Sequence, residues 1–327
     1  MSTQALEGGK SGTGIEYVQS LRIPKGFSGL PVGWTTEWST FRSTTEKTQL
    51  FQVTHFRPNG GTQGGPRVAL VVHGMGEHGG RYLHLAHYIG DAVDAVSCID
   101  LPGHGRSEGL RGDIERFDSM IDDIALAVRR THEQFKKRFG SVELHLVGHS
   151  LGGHLVLRTA LKHPDLPLAS LTASAPFLGI KVKVPVVKKS AAILLSKVWG
   201  SLQLDTALDA GLLSHDPAVV EAYTEDRLVH SKMTPRFFMQ VQAAMRDTLG
   251  HTKGIQCPVM LQIPLQDGVV DSEISLGFFR NLENSAKELK TYPQFFHEIY
   301  NEEGKEQPLS DLKEWIQKNS RGAGKLQ

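Results

Sequence analysis

Cysteine and net charge are both scarce in this sequence of 327 residues. The two cysteines, Cys98 and Cys257, lie in apolar runs that predict strands. So few thiols do not support a zinc site, and they favour buried free thiols over a disulfide. The formal net charge is +1. This balance gives no electrostatic reason to expect nucleic acid as a partner.

Long apolar segments are absent as well. No run approaches the roughly 20 residues that a helix needs to span a bilayer. The Ser/Gly/Thr-rich start at 1–14 lacks a basic-then-apolar signal pattern. The expectation is a cytoplasmic protein, with peripheral contact at membranes left open, and with flexible tails at 1–14 and 321–327. Its length is enough to bury a full core.

The most informative stretch that is present is a G-x-S-x-G pentapeptide, Gly148-His149-Ser150-Leu151-Gly152. An apolar run ending at Val147 predicts a buried strand before it, and a helix is predicted from Leu151 to Leu161. A serine on so tight a strand-to-helix turn is held in a strained conformation with its hydroxyl exposed. The pattern also fits an ordinary Gly-rich turn. Its interpretation as a nucleophile therefore depends on partners elsewhere in the chain.

Predicted strands and helices alternate on both sides of this turn. Continuous aliphatic runs at 68–72, 93–100 and 169–175 predict strands buried on both faces, with helical crossovers between them. This order implies an α/β fold with a mostly parallel sheet flanked by helices. From Lys181 to about Leu249 only helix-like segments occur, and the sheet resumes at 258–264. We therefore expect a core at 15–180 and 250–320, with a helical cap (lid) inserted at 181–249.

A serine hydroxyl needs a base, and the base needs an acid to orient it. In this arrangement the chain order is serine, acid, histidine. Of the 15 histidines only His297 follows the resumed sheet, so we predict that it is the base. Asp267 directly follows a predicted strand and is the expected acid. The nearby Asp271 is the competitor, although it is equally suited to capping the next helix.

Acyl transfer also needs hydrogen-bond donors for the oxyanion. The backbone N–H of Leu151, the residue after Ser150, is one expected donor. The second should come from the loop His73-Gly74-Met75-Gly76, where we predict the backbone N–H of Met75. This set of groups requires no metal and no organic cofactor.

Together these motifs resemble the α/β-hydrolase fold, and more narrowly the monoacylglycerol lipase and lysophospholipase group. The resemblance runs from about Trp34 to Ile316, and its most specific parts are HGxGEHxxRY at 73–82 and PGHGxSxG at 102–109. It implies a serine hydrolase that cleaves the ester of a single-acyl-chain lipid. The triad of that family maps onto Ser150, Asp267 and His297.

The resemblance also implies contacts with a glycerol head group at Glu77, Arg81 and the cap residue Tyr223. Independently of the resemblance, Glu77 and Arg81 are four residues apart and fit an ion pair that locks the loop. The segment at 226–230 resembles a cap motif in which proline usually replaces Arg227. That departure, with an unfamiliar segment at 181–204, leaves the shape of the cap and the substrate preference open.

Lysines and apolar residues are interleaved at the start of the cap. This pattern is typical of a lid that contacts a membrane surface transiently, and equally of a lid helix packed on the core. The apolar residues are Val182, Val184, Val186, Val187, Ile193, Leu194, Leu195, Val198 and Trp199, and the lysines are Lys181, Lys183, Lys188 and Lys189.

Other activities fit the same fold. Since one triad can cleave esters, amides and peptides, an aminopeptidase-like hydrolase and a general carboxylesterase remain alternatives. A non-catalytic binding protein is a further alternative. Its mark would be a broken triad, which this sequence does not show.

Overall fold

The computed structural model describes residues 10–13, 29–45, 47–58, 65–181, 193–206 and 208–320. The strands within these ranges are β1 (Ser11–Thr13), β2 (Thr35–Arg42), β3 (Gln49–Phe56), β4 (Arg67–Val72), β5 (Ala95–Ile99), β6 (Glu143–His149), β7 (Ser170–Ser174), β8 (Leu204–Asp205), β9 (Lys232–Met233), β10 (Val259–Pro264) and β11 (Lys287–Tyr292). The α-helices whose two ends lie within these ranges are α1 (Leu85–Tyr88), α2 (Phe117–Phe139), α3 (Leu151–Lys162), α4 (Pro217–Glu225), α5 (Pro235–Gly250), α6 (Ser272–Asn281) and α7 (Glu306–Lys318).

Nine strands form one sheet in the order β1-β2-β3-β5-β4-β6-β7-β10-β11. Within this sheet the pairs β5–β4, β4–β6, β6–β7, β7–β10 and β10–β11 are parallel, whereas β1–β2, β2–β3 and β3–β5 are antiparallel. The register places Val72 of β4 opposite both Ile99 and Gly148. The carboxyl ends of β4, β5 and β6 therefore meet at one edge of the sheet. The predicted α/β fold is confirmed.

Apolar layers cover both faces of this sheet. Leu70 and Val72 face a core shared with α2, α3 and α6, while Ala69 and Val71 face a core shared with α1 and α7. This alternation explains why β4 is apolar at successive positions, since a strand covered on both faces has no solvent-facing side. The hydrophobic residues of α7 that pack in the second core are Leu309, Leu312, Trp315 and Ile316.

Two local features differ from the sequence-based expectations. Ser11–Thr13, inside the expected tail, pair with Glu37–Ser39 of β2. The partly periodic apolar residues Leu83, Leu85, Ala86 and Ile89 predict a helix up to Asp91, but the structure has a 3-10 turn at Gly79–Tyr82 and the four-residue α1 instead. Side chains take the first amides of that segment, because Gly79 N–H donates to Asp100 and Gly80 N–H to His78.

The described residues of the segment expected to form a cap are not wholly helical. Leu204–Asp205 and Lys232–Met233 form a two-stranded antiparallel sheet that the sequence did not predict. The helix α4 was also missed, although Asp216 at its N-cap and Pro217 at its first turn are start signals. Residues 193–198 are helical. The valine-rich part of the predicted lid, at 182–192, lies outside the described residues. None of the helices described is both long and apolar enough to cross a bilayer.

Candidate active site

Ser150 lies between β6 and α3 with a backbone φ of 53° and ψ of −116°. Positive φ is costly for a residue with a side chain, so the neighbouring structure must hold it in place. Its N–H donates to the Ser174 carbonyl at 2.9 Å, and its own carbonyl accepts from Phe177 N–H at 2.9 Å and His154 N–H at 3.0 Å. Hydrogen bonds on both sides thus fix the strained turn that the sequence predicts.

The two glycines of the pentapeptide permit close backbone contact. A Cβ at Gly148 would overlap the carbonyl oxygen of Gly152 in α3, and one at Gly152 would overlap that of Val72 in β4. Side chains at these positions would push the helix away from the strand. The packing therefore requires glycine at both positions.

The structure brings together the three residues that the sequence assigned to a triad. His297 Nε2 is 2.8 Å from Ser150 Oγ, and His297 Nδ1 is 2.7 Å from Asp267 Oδ2. Asp267 follows β10 and His297 follows β11, and these adjacent parallel strands end at the same edge of the sheet. Because a carboxylate only accepts, Nδ1–H donates to Asp267, and Nε2 is left to accept from the serine hydroxyl.

Burial and charge set the protonation of this chain of groups. Burial raises the pKa of Asp267, but the His297 imidazole and the N–H groups of Val270 and Val269 outweigh it and hold that pKa below 3.8. Burial lowers the pKa of His297, and the Asp267 carboxylate more than compensates, so the net shift is upward from 6.5. An ionised acid therefore orients a histidine that readily takes up a proton.

The competitor acid has a different place. Asp271 is the N-cap of α6, where its side chain accepts from the Glu273 N–H at 3.1 Å. The capping alternative considered for Asp271 is therefore what the structure shows.

The loop after β4 lies against Ser150. A Cβ at Gly74 would be 3.1 Å from the Cβ of Ser150, and Met75 is the next residue of this loop. Gly76 has a φ of 78°, which favours glycine, and its carbonyl accepts from the cap residue His230 at 2.8 Å. On the other side, Leu151 is the first residue of α3, so its N–H has no acceptor within the helix.

Glu77 and Arg81 form the predicted ion pair, with Arg81 Nη1 2.7 Å from Glu77 Oε2. The other oxygen of Glu77 accepts from Gly74 N–H at 2.6 Å and from the Tyr82 hydroxyl at 2.7 Å. Burial alone raises the pKa of Glu77, yet the adjacent Arg81 guanidinium contributes to lowering it to about 2. The ring centroid of Tyr223, on α4, lies 4.8 Å from the Arg81 guanidinium carbon.

Two buried carboxylates that the sequence reasoning missed follow His297. Glu298 is 2.7 Å from Arg81, and Glu302 accepts from the Ser214 hydroxyl at 3.1 Å and from His215 N–H at 2.7 Å. Both tie the histidine loop to other parts of the chain. Glu298 directly follows the predicted base and Glu302 lies five residues beyond it, but neither position carries a recognisable sequence pattern.

Neither a metal site nor a disulfide appears in the described part of the chain. None of its His, Cys, Asp and Glu side chains form a group of three or more that could hold an ion. Cys98 and Cys257 are buried free thiols, as predicted.

A serine on a strand-to-helix turn, followed along the chain by an acid and a histidine at the same edge of a mostly parallel sheet, defines the α/β-hydrolase class. Residues 66–304 match the Hydrolase_4 family, described as serine aminopeptidase, S33, and the chain belongs to this family. The resemblance stated from the motifs is thereby confirmed.

Several known proteins are similar to this chain. An uncharacterized abhydrolase domain-containing protein of Dictyostelium discoideum is 30% identical over 254 residues, which are 77% of this chain and 26% of that protein. A monoacylglycerol lipase of Mycolicibacterium smegmatis is 26% identical over 250 residues, 76% of this chain and 87% of that protein. The solved structure of Paleococcus ferrophilus monoacylglycerol lipase has a TM-score of 0.71 at 30% identity, covering 83% of this chain and 99% of its own.

Proposed function

We propose that this protein is a serine hydrolase that cleaves the carboxylic ester of a single-acyl-chain lipid, a monoacylglycerol or a lysophospholipid. The observation that carries the proposal is the line of contacts from Ser150 Oγ through His297 to Asp267, at 2.8 and 2.7 Å. The names of the similar proteins from Mycolicibacterium and Paleococcus support a glycerolipid ester as the substrate.

In the proposed reaction Ser150 Oγ attacks the ester carbonyl carbon while its proton passes to His297 Nε2. The carbonyl oxygen becomes an oxyanion, which the backbone N–H groups of Met75 and Leu151 stabilise. The bond to the leaving alcohol then breaks, and His297 returns the proton to that alcohol, leaving an acyl-enzyme. Water, deprotonated by His297, attacks the acyl-enzyme, and the bond between the acyl carbon and Ser150 Oγ breaks. The fatty acid is released as His297 returns the proton to Ser150 Oγ. Asp267 stabilises the imidazolium in both halves.

Replacing Ser150 by alanine tests this proposal. Loss of the nucleophile should lower ester hydrolysis by several orders of magnitude, roughly 10⁶-fold in one well-studied hydrolase. Wild type should also react with a fluorophosphonate probe at Ser150, and the alanine variant should not. Unchanged ester hydrolysis in the variant would refute the proposal, and an unlabelled wild type would favour a non-catalytic binding protein.

The family description favours a second candidate, an aminopeptidase-like amide hydrolase. A panel of monoacylglycerols, lysophospholipids, p-nitrophenyl acyl esters and aminoacyl anilides separates the two. We expect turnover of the lipid esters to exceed turnover of the anilides, and the reverse order would favour the amide hydrolase.

We also propose that residues 181–249 form the cap and contact membrane surfaces transiently. Ile193, Leu194, Val198 and Trp199 are between 45 and 77% exposed, beside the exposed Lys197. Exposed apolar side chains next to a lysine favour an interfacial lipid surface. Vesicles with anionic lipid should sediment wild type in a salt-sensitive manner, and a Leu194→Ser/Val198→Ser/Trp199→Ser variant should remain in the supernatant. Equal sedimentation of the two proteins would contradict the proposal.

A further inference from the structure

A line of buried contacts joins the loop that carries His297 to the loop that carries Met75. The residue after His297, Glu298, receives two parallel hydrogen bonds from Arg81, Nη1 to Oε1 and Nη2 to Oε2, each 2.7 Å long. Asn301, four residues beyond His297, donates to Glu298 Oε2 at 3.0 Å. The Glu298 carboxylate is thus held by Asn301 of its own loop and by Arg81 of the 3-10 turn Gly79–Tyr82.

The line continues from Arg81 to the other loop. Arg81 Nη1 also donates to Glu77 Oε2 at 2.7 Å, and Glu77 Oε1 accepts from the N–H of Gly74, the residue before Met75, at 2.6 Å. A displacement of Glu298 would therefore reach the proposed oxyanion donor through two side chains. Two parallel hydrogen bonds between a guanidinium and a carboxylate fix the relative position of the two groups more strongly than a single contact does.

The charges in this cluster do not balance. Glu77 and Glu298 are 3 and 4% exposed, and a single guanidinium, Arg81, pairs with both carboxylates. One negative charge of the trio therefore remains uncompensated in a buried environment, where screening by water is weak. A nearby imidazole that gains a proton would be stabilised by it.

We propose that Glu298 is a positioning residue, which acts through Arg81 to lock the histidine loop to the oxyanion loop and adds negative charge beside His297. This inference rests on the proposed function. It gives the cluster a role in the reaction that differs from a head-group contact.

Other groups also face His297 and must be kept constant in a test. They are the Asp267 carboxylate at 2.7 Å, the Ser150 hydroxyl at 2.8 Å and the His149 ring, whose centroid is 4.9 Å away. After burial, which lowers the pKa of His297, the upward causes are Asp267 first and then Glu298 and Glu77. Removing the charge of Glu298 alone should therefore lower the pKa of His297 without removing its main partner.

The test compares three variants in the pH profile of p-nitrophenyl ester hydrolysis. Glu298→Gln keeps the shape and loses the charge. We expect its kcat to fall by about a hundredfold, the size associated with misplacing a reacting group by about 1 Å. We also expect the acid limb of kcat/KM to move to lower pH, because a less stabilised imidazolium loses its proton more easily. The control is Glu303→Gln, which removes the same charge from an exposed position on the same loop and should match wild type.

The third variant separates charge from position. Glu298→Asp keeps the charge but is one methylene shorter, so it cannot keep both contacts with Arg81. Its kcat should fall while its acid limb stays at the wild-type pH. This variant also serves if Glu298→Gln does not fold, as judged by thermal unfolding.

Two results with Glu298→Gln would overturn the inference, and so would two with Glu298→Asp. One is a Glu298→Gln profile that coincides with that of Glu303→Gln, and the other is a lower rate with the acid limb unmoved. For Glu298→Asp, a moved limb or an unchanged kcat would do the same. Failure of the proposed function itself is distinguishable, because wild type would then neither hydrolyse esters nor react with a fluorophosphonate.

Discussion

Replacing Asp267 by asparagine should separate the chemistry of the site from its stability. Asp267 Oδ1 accepts from the N–H groups of Val269 and Val270 at 2.7 and 2.8 Å, and Oδ2 accepts from His297 Nδ1. An asparagine can keep its oxygen toward the two backbone donors. Its NH₂ group then points at His297 Nδ1, which must accept instead of donate.

The change therefore forces the other tautomer of His297. With its proton on Nε2, the ring would face Ser150 Oγ with a donor and could no longer take the serine proton. A triad held in the wrong tautomer loses about 10⁴-fold in turnover, equivalent to about 5.4 kcal/mol of transition-state stabilisation. The fold should lose far less, since both backbone donors at 269 and 270 keep an acceptor.

The assay is p-nitrophenyl ester hydrolysis beside urea unfolding, with Asp271→Ala as the matched control. The control loses a helix cap, so we expect about 1 kcal/mol less free energy of unfolding and an unchanged kcat. If Asp271→Ala loses activity and Asp267→Asn retains it, the assignment of the acid is wrong. Loss of stability in Asp267→Asn as large as the loss of activity would refute the tautomer argument.

Two further predictions concern the titration of the base and the role of Glu77. Because His297 must be neutral to accept a proton and its pKa is raised above 6.5, kcat/KM should fall as the pH drops through a midpoint above 6.5. A midpoint well below 6.5 would contradict this. Since the oxygens of Glu77 are already paired, Glu77→Gln should lower kcat equally for a monoacylglycerol and a p-nitrophenyl ester. A rise in KM for the monoacylglycerol alone would instead indicate a head-group contact.

The parallel core of the fold follows from local sequence patterns. One amphipathic stripe runs from Phe117 to Phe139 and Gly140 follows it, a pattern that predicts a helix with these bounds. The structure has α2 over the same residues. Strands such as β4 and β10 could be predicted because a short run of aliphatic residues between two turns is typical of a buried strand. In both cases the contacts that determine the secondary structure lie within the segment itself or between its apolar residues and the apolar core.

The described part of the segment expected to form a cap was predicted less well, because its structure depends on distant contacts. The two-residue strands β8 and β9 have no periodic pattern, and they pair only because the intervening chain returns. The His230 N–H that bonds to Gly76 belongs to the segment where Arg227 departs from the usual motif. Nothing within that segment indicates that its partner lies in the loop after β4.

Within the site, predictability decreases with the distance over which a residue acts. The strain at Ser150 is encoded by its flanking glycines, and His297 was found by chain order. The Glu77–Arg81 pair was accessible from a spacing of four residues. Glu298 was not, since its partner Arg81 is 217 residues away and a carboxylate beside a histidine has no characteristic pattern.

The contact between Arg81 and Glu298 bears on which residues we expect to determine the choice of substrate. Both terminal nitrogens of Arg81 donate hydrogen bonds to carboxylates, those of Glu77 and Glu298. Breaking these contacts so that the buried guanidinium could bind a neutral alcohol would leave buried carboxylates unpaired, which costs free energy. Recognition of a head group by Arg81 would have to break contacts that join the two reacting loops. We therefore expect variation on the side of the proposed site where Tyr223 lies over Arg81 to alter the substrate preference more readily than variation at Arg81 itself.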